Sequence, residues 1–309
     1  MISLADIQEA AVRIAEQVRH TPTVRCSVLD KAVNAEVFLK CENLQVAGAF
    51  KSRGACNAVF SLSEEQASRG VATHSSGNHA AALSRAARRR DIPAYIVMPR
   101  TARPQKIAAV RQFGGQITFC EPTLVAREQT ATAIIQATGA VFIPPYDDDR
   151  IIAGAGTAAL ELLQRTSDLD VIITPVGGGG LLGGTAVATK SLSPATQVWA
   201  GEPNGADDAY RSWQAGQLLP AEHPHSIADG LLTNLGERNF EIIRQLVDRI
   251  VLVSDAEIVQ AVHMLYELAD LAVEPSGAVP LAVLWQHRDR LCGKRIGLIL
   301  SGGNGSLEE

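Results

Sequence analysis

The sequence has 309 residues, of which 46% are hydrophobic and 20% charged, with a formal net charge of −5. That length exceeds one small core and suggests two domains or one large one, in a composition ordinary for globular chains. Without a basic block, nucleic acid is excluded as an expected partner, and no apolar run is long enough to make a membrane one.

Residues 1–20 ("MISLADIQEAAVRIAEQVRH") show helical periodicity and acidic residues. They lack the basic start, apolar run and cleavage site of a signal peptide, so a cytoplasmic location is expected. Cys26, Cys41, Cys56, Cys120 and Cys292 are scattered, odd in number and without a CxxC pair, which argues against a disulfide framework and a zinc site. Strands are expected at 36–42, 70–76, 94–99, 116–121, 140–145, 171–176, 197–203, 249–255 and 295–303. Ala-rich helical stretches at 78–90, 103–113, 124–138 and 181–191 separate them. The basic run "RAARRRD" at 85–91 reads as a solvated helix face. Strands spaced by helices of this length imply βαβ units and mostly parallel sheets. The continuous apolar character of "VIITPV" and "IGLIL" fits strands buried on both faces.

Three Gly/Ser-rich turns follow expected strands: "SSGNHAAAL" (75–83), "GGGGLLGG" (177–184) and "SGGNGS" (301–306). In open α/β sheets ligands bind beyond the carboxyl ends of strands, so the three turns suggest one cleft. The four consecutive glycines let backbone N–H groups approach an anion, and the following helix adds its dipole, which reads as a phosphate cradle. No GxxxxGK[ST] is present, which argues against a P-loop triphosphate site. A dinucleotide is not excluded by this segment, because Glu202 follows the glycines at about the Rossmann distance of roughly 20 residues.

The remaining motifs favour another cofactor. In "GAFKSRGA" (48–55), Lys51 stands among small residues beside Phe50, an unusual setting for a surface lysine. Lys51 can form a Schiff base, Asn78 can meet a phenolic oxygen, Gly177, Gly178, Gly179 and Gly180 with Leu181 can hold a phosphate, and Ser301 can bond a pyridine nitrogen. Together these form an inventory for pyridoxal phosphate.

On these motifs the chain resembles the fold-type II pyridoxal-phosphate enzymes, in the serine/threonine dehydratase and serine racemase branch. The resemblance also covers "CENLQ", "IAGAGT" (152–157), "GEP" with "ADD" (201–208) and "EPSGA" (274–278), and so runs nearly end to end. Ala49 departs from the serine usual in the family motif, which removes a hydroxyl beside the lysine. The resemblance implies an α/β fold like that of tryptophan synthase β, with two domains of open, mostly parallel twisted sheets flanked by helices. A large domain would be formed by 1–64 and 148–309, and a small one by 65–147. It further implies a homodimer. Because the sequence stops just after "SGGN", no C-terminal regulatory domain is expected.

In this scheme a small-molecule amino-acid substrate displaces Lys51, which then removes the α-proton; burial lowers a lysine pKa and suits it to that role. A neutral Ser301 at the ring nitrogen, in place of a carboxylate, favours a short-lived carbanion and hence β-elimination. The cofactor phosphate would protonate the departing hydroxyl, and the products would be a 2-oxo acid and ammonia. The resemblance to serine racemases implies that Ser76 is an acid on the face opposite Lys51; alternatively Ser76 only binds the substrate carboxylate with Ser75, Gly77 and the backbone of that turn. His79 reads as a wall of the pocket, with substrate contact as a minor alternative. Glu202, the carbonyl of Ala206 and Asp208 supply oxygen ligands suited to Mg²⁺ or Ca²⁺. From the residues alone they read as a solvated acidic turn, whereas the resemblance implies a divalent cation. Serine, threonine and 3-hydroxyaspartate all remain open as substrates. The stretch 127–139 holds only Arg127 as a cation for a β-carboxylate, and the expectation leans against 3-hydroxyaspartate.

Overall fold

The computed structural model describes residues 1–305. The end of the "SGGNGS" turn, and the last four residues of the expected large domain, lie outside the described residues. The first half of the chain runs α1 (Leu4–Ile14), β1 (Thr23–Arg25), α2 (Ser27–Val33), β2 (Glu36–Lys40), α3 (Lys51–Phe60), α4 (Glu64–Ser68), β3 (Val71–His74), α5 (Asn78–Arg89), β4 (Ala94–Pro99), α6 (Pro104–Gln112), β5 (Gln116–Cys120), α7 (Leu124–Thr138) and β6 (Val141–Phe142). The second half runs α8 (Asp149–Arg165), β7 (Val171–Pro175), α9 (Gly180–Leu192), β8 (Gln197–Pro203), α10 (Asp208–Ala215), α11 (Glu237–Leu246), β9 (Arg249–Val253), α12 (Asp255–Ala269), α13 (Pro275–Gln286) and β10 (Arg295–Ile299). Among the described residues no helix is long and apolar enough to cross a membrane.

Two sheets result. One has six strands in the order β1-β2-β10-β7-β8-β9, parallel except where β1 meets β2; the other has four parallel strands in the order β5-β4-β3-β6. All nine expected strands are present, although β6 keeps only two residues and β10 stops before its glycines. The four Ala-rich helices fall within a residue of their expected bounds. The strand β1 and the 17-residue helix α8 are not among the expected elements. α8 is buried along most of its length, so no polar face marks it as a helix in the sequence.

All four strands of the smaller sheet lie between residues 71 and 142. The core beneath them reaches further along the chain and includes Ile14, Ala55, Cys56, Ala58, Val59 and Ile151. The basic run at 85–91 is only partly a solvated face, since two of its arginines bond to the backbone of other segments: Arg85 donates to the carbonyl of Gln17 (2.8 Å) and Arg90 to that of Val59 (2.5 Å). Both bonds tie α5 to chain that precedes the sheet.

The helices that carry the expected site meet through glycines. A Cβ on Gly154 of α8 would lie 2.7 Å from the Cα of Gly54 on α3, and a Cβ on Gly184 of α9 would lie 2.6 Å from the amide nitrogen of Gly156 on α8. Only residues without a side chain allow backbones this close, so α3, α8 and α9 form one tightly packed layer.

An ion cluster locks that layer. Arg53, fully buried on α3, donates to both oxygens of Glu42 (2.8 Å each), to both oxygens of Glu161 on α8 (2.7 and 2.8 Å) and to Thr157 Oγ1 (3.0 Å). Buried Lys40 donates to Glu161 (2.5 Å) and to the carbonyl of Thr21 (2.7 Å). Burial alone would raise the pKa of Glu42, but the charge and hydrogen bonds of Arg53 outweigh it and hold the carboxyl below its ordinary value. A buried pair costs most when one partner is removed, because the other charge is left unpaired. Arg53→Ala is therefore expected to lower stability by about 3–5 kcal/mol in denaturant unfolding. Because the folded pKa of Glu42 is depressed, its contribution is present above the ordinary carboxylate range and is lost as pH falls through the depressed value. A wild-type acid-unfolding curve that Glu42→Gln leaves unchanged would show that Glu42 adds nothing.

Candidate active site

Lys51 opens α3, and its neighbour on the preceding side is tied to the end of β10: the amide of Phe50 donates to the carbonyl of Ser301 (3.0 Å), and Ala49 bridges Gly302. The half-buried Lys51 Nζ donates to the carbonyl of Pro145 (2.7 Å) and lies 5.0 Å from the ring centre of Phe50 and 6.0 Å from that of Tyr146. Burial lowers its pKa to about 8, against the opposing charge of Glu274.

The glycine loop follows β7 and leads into α9. Gly179 holds φ at 89°, a left-handed value that favours glycine, and forms the cap from which the helix starts. Tyr146 faces the loop so closely that a Cβ on Gly178 would run into its ring, and its hydroxyl meets Thr233 Oγ1 at 2.9 Å. Asn239 Nδ2 donates to the carbonyl of Gly178 (2.7 Å), which turns that carbonyl away from the helix start. Among the described residues, the N–H groups of Gly177, Gly178, Gly179, Gly180 and Leu181 have no acceptor. A row of free donors at a helix N-terminus suits a phosphate. With a desolvated amine at Lys51 and the buried serine Ser301 at the end of β10, the residues present fit pyridoxal phosphate.

The turn after β3 brings Ser75, Ser76, Gly77 and Asn78 into the same region. Ser75 Oγ accepts the amide of Gly77 (3.3 Å), Ser76 is half-buried, and a Cβ on Gly77 would meet nothing within 4 Å. Asn78, the first residue of α5, donates through Nδ2 to Glu274 Oε1 (2.8 Å) and accepts at Oδ1 from Asn304 Nδ2 (3.1 Å). His79 is buried, and burial with the nearby charge of Lys51 lowers its pKa to about 3, so the ring is neutral. Its Nε2 meets the carbonyl of Ile143 at 3.2 Å and must carry the proton; Nδ1 is then a buried acceptor without a partner among the described residues.

Glu202 ends β8, and Ala206 and Asp208 lie on the turn into α10. The two Glu202 oxygens accept the amides of Ala209 (2.9 Å) and Tyr210 (2.7 Å), while Asp208 Oδ2 accepts that of Leu235 (2.7 Å). Burial raises the pKa of both carboxyls, and Asp208 Oδ1 is a buried oxygen without a partner among the described residues. This segment is therefore buried, unlike the solvated turn that the residues alone suggest. Its orphaned oxygen fits a bound cation. Among the described residues no group of three or more His, Cys, Asp and Glu side chains is arranged for a metal, so a cation here would depend on the Ala206 carbonyl.

Several site residues are absent from the sequence reading. Glu274 is quoted there only as part of "EPSGA", yet it caps α13, grips Asn78, and has its pKa raised to about 7 by burial and then by the charge of Asp229. Tyr146, Asn239 and Asn304 reach the site from segments with no spacing relation to the motifs. Arg127, on α7, keeps a buried Nε without a partner among the described residues, and its charge bears on His74 at the end of β3.

Residues 14–302 match the family described as pyridoxal-phosphate dependent enzyme. The chain is 46% identical to a beta-hydroxyaspartate dehydratase of Paracoccus denitrificans over 98% of its own length and 96% of that protein. The structure of maize serine racemase aligns with a TM-score of 0.97 at 43% identity, covering 99% of this chain and 94% of that one. The structure of serine racemase from Dictyostelium discoideum aligns with a TM-score of 0.95 at 44% identity, and that of a bacterial-type threonine deaminase with a TM-score of 0.94 at 41% identity; each alignment covers 99% of both chains. With a lysine, a free-donor glycine loop and a serine brought to one cleft, and likeness along nearly the whole chain, the protein belongs to the pyridoxal-phosphate dependent enzymes, in their fold-type II branch.

Proposed function

We propose that the chain removes water and ammonia from a β-hydroxy amino acid, L-threonine or L-serine, releasing a 2-oxo acid. The observation that carries this reading is the desolvated amine of Lys51, with a pKa of about 8, beside the glycine loop. Bound pyridoxal phosphate supplies an electron sink that acidifies the α-proton of an attached amino acid. The protein's own groups do the rest. Lys51 takes the α-proton, and its lowered pKa leaves an appreciable unprotonated fraction near neutral pH. Gly177–Gly180 and Leu181 hold the phosphate, Asn78 offers its free N–H to the ring oxygen, and Ser301 offers a neutral hydroxyl to the ring nitrogen. Ser75, Ser76 and Gly77 take the substrate carboxylate, with neutral His79 as a wall.

Ser76 also stands as the acid for reprotonation on the face opposite Lys51, which would give racemisation as a side activity. A serine hydroxyl is a weak acid, so elimination is expected to outrun it. The division into a large domain (1–64 and 148–309) and a small domain (65–147), the homodimer and a cation at Glu202, Ala206 and Asp208 are parts of the same proposal. The unpaired Asp208 Oδ1 supports the last of these.

A second reading has its own observation. The unpartnered Nε of Arg127, near the strand that leads into Ser75, suits a substrate with a second carboxylate. A relative 46% identical is a beta-hydroxyaspartate dehydratase, so 3-hydroxyaspartate stands level with serine and threonine despite the expectation against it.

Lys51→Ala should abolish 2-oxo acid release, and borohydride should fix the cofactor to Lys51 in a peptide map of the wild type. Turnover should rise as pH climbs toward about 8 and the Lys51 amine loses its proton. Equal oxo-acid release by mutant and wild type would overturn the base assignment.

Ammonia release across serine, threonine and 3-hydroxyaspartate separates the two substrate readings. Arg127→Ala should raise KM for 3-hydroxyaspartate about tenfold or more and leave serine unaffected, the loss expected for a charged hydrogen bond. Chiral analysis of unspent serine should show that Ser76→Ala stops L/D interconversion while part of the dehydration of the L form survives.

Chelation should lower the melting temperature of the wild type, and Asp208→Ala should remove that sensitivity. A melting curve that is unmoved by chelator, and unmoved on adding Mg²⁺ or Ca²⁺ back, would leave Glu202 as a helix cap alone.

A further inference from the structure

A cavity of about 710 Å³ opens between α6, the segment 225–229 and the start of α13. Lys106 reaches into it from α6, beside the four-stranded sheet, and forms an ion pair with Asp229. Asp229 begins the 3-10 turn Asp229–Leu231, which belongs with the other sheet: the amide of Gly230 donates to Ser276 Oγ (3.1 Å), two residues from Glu274. The pair therefore bridges the two sheet-bearing parts of the chain, with side chains 23% and 37% exposed.

Glu274 lines the same cavity and accepts from Asn78 at 2.8 Å. With Asn304 on its other end, the Asn78 carboxamide is held at both its oxygen and its nitrogen, and one N–H is left over. We propose that Lys106 and Asp229 are positioning residues for Asn78: their ion pair spans the cavity and keeps the Glu274 carboxylate as the acceptor that orients the Asn78 carboxamide.

The electrostatics follow the geometry. After burial, the charge of Asp229 raises the pKa of Glu274 and that of Lys106 lowers it, so the two ends of the pair oppose each other at this carboxyl. Lys51 on α3 is a further charge coupled to it. Arg103, His225, Asp255 and His263 line the cavity around it. Loss of Lys106 leaves Asp229 unopposed and favours a protonated Glu274, which offers a donor where Asn78 needs an acceptor. Loss of Asp229 leaves Lys106 unopposed and favours the carboxylate. Two variants that break the same ion pair are therefore expected to move Glu274 in opposite directions.

The test uses protein loaded with pyridoxal phosphate and labelled with carboxyl-¹³C glutamate, the Glu274 resonance being assigned through Glu274→Gln. The titration midpoint should lie near neutral pH, move up in Lys106→Met, move down in Asp229→Asn and return toward the wild-type value in the double variant. Amide hydrogen exchange over Pro104–Gln112 should quicken about two- to fivefold in both single variants, as expected for loss of a part-exposed ion pair. Midpoints that stay put or move together, a double variant further displaced than either single, or unchanged exchange would each overturn the proposal. The catalytic meaning rests on the proposed placing of Asn78 at the ring oxygen. Neither readout needs turnover, so a failure of that reading and a failure of this one are distinguishable.

Discussion

The guanidinium of Arg53 is the contact on which the site depends. Every donor it carries is used, and its two carboxylate partners sit on different segments, Glu42 after β2 and Glu161 on α8. Charges buried this deeply are tolerated only when each is paired, so the cluster admits one arrangement of α3 against its neighbours. Arg53 stands two residues after Lys51. The position of the amine is thereby set by an ion network on the far side of its own helix. The glycine contacts between α3, α8 and α9 complete this, because they put the start of α3 and the start of α9 into one packed layer.

Burial then divides the titratable groups of the cleft. It pushes the Lys51 amine down to about 8 and the Glu274 carboxyl up to about 7, and it leaves His79 neutral. The first two groups attract each other, yet neither shift is cancelled, so desolvation outweighs their mutual attraction. A lysine and a glutamate that both titrate near neutrality, one beside the glycine loop and one on Asn78, give the site groups that exchange protons readily. His79, by contrast, contributes a fixed, neutral ring.

Parallel strands place their carboxyl ends together, and here the turns after β3, β7 and β10 all carry site residues. The turn after β3 belongs to the four-stranded sheet and the other two to the six-stranded one. Asn78, Glu274 and Asn304 are bonded across that division, and so are Lys106 and Asp229. A ligand held between the turns touches both sheets at once. The donors of the glycine loop stand ready because Asn239 and Tyr146 occupy the carbonyl side of the loop.

Local features were legible in the sequence alone. The nine strands, the Ala-rich helices and the three Gly/Ser turns follow from periodicity, β-rich runs and turn chemistry, which act over a few residues. Lys51, Asn78, the four glycines and Ser301 were legible for the same reason, since each sits in a motif whose composition departs from its surroundings. α8 was not legible, because a helix buried on all sides has no polar face to set its period. The sequence could not assign Glu274 a role, since a carboxyl acquires a pKa of about 7 only from burial and from Asp229, 45 residues away in the chain. Nothing in it pointed to the orphaned oxygen of Asp208, the unpaired Nε of Arg127 or the Lys106–Asp229 bridge. Each of these depends on which groups are left without water and which charges face each other. Only the packing of distant segments decides that.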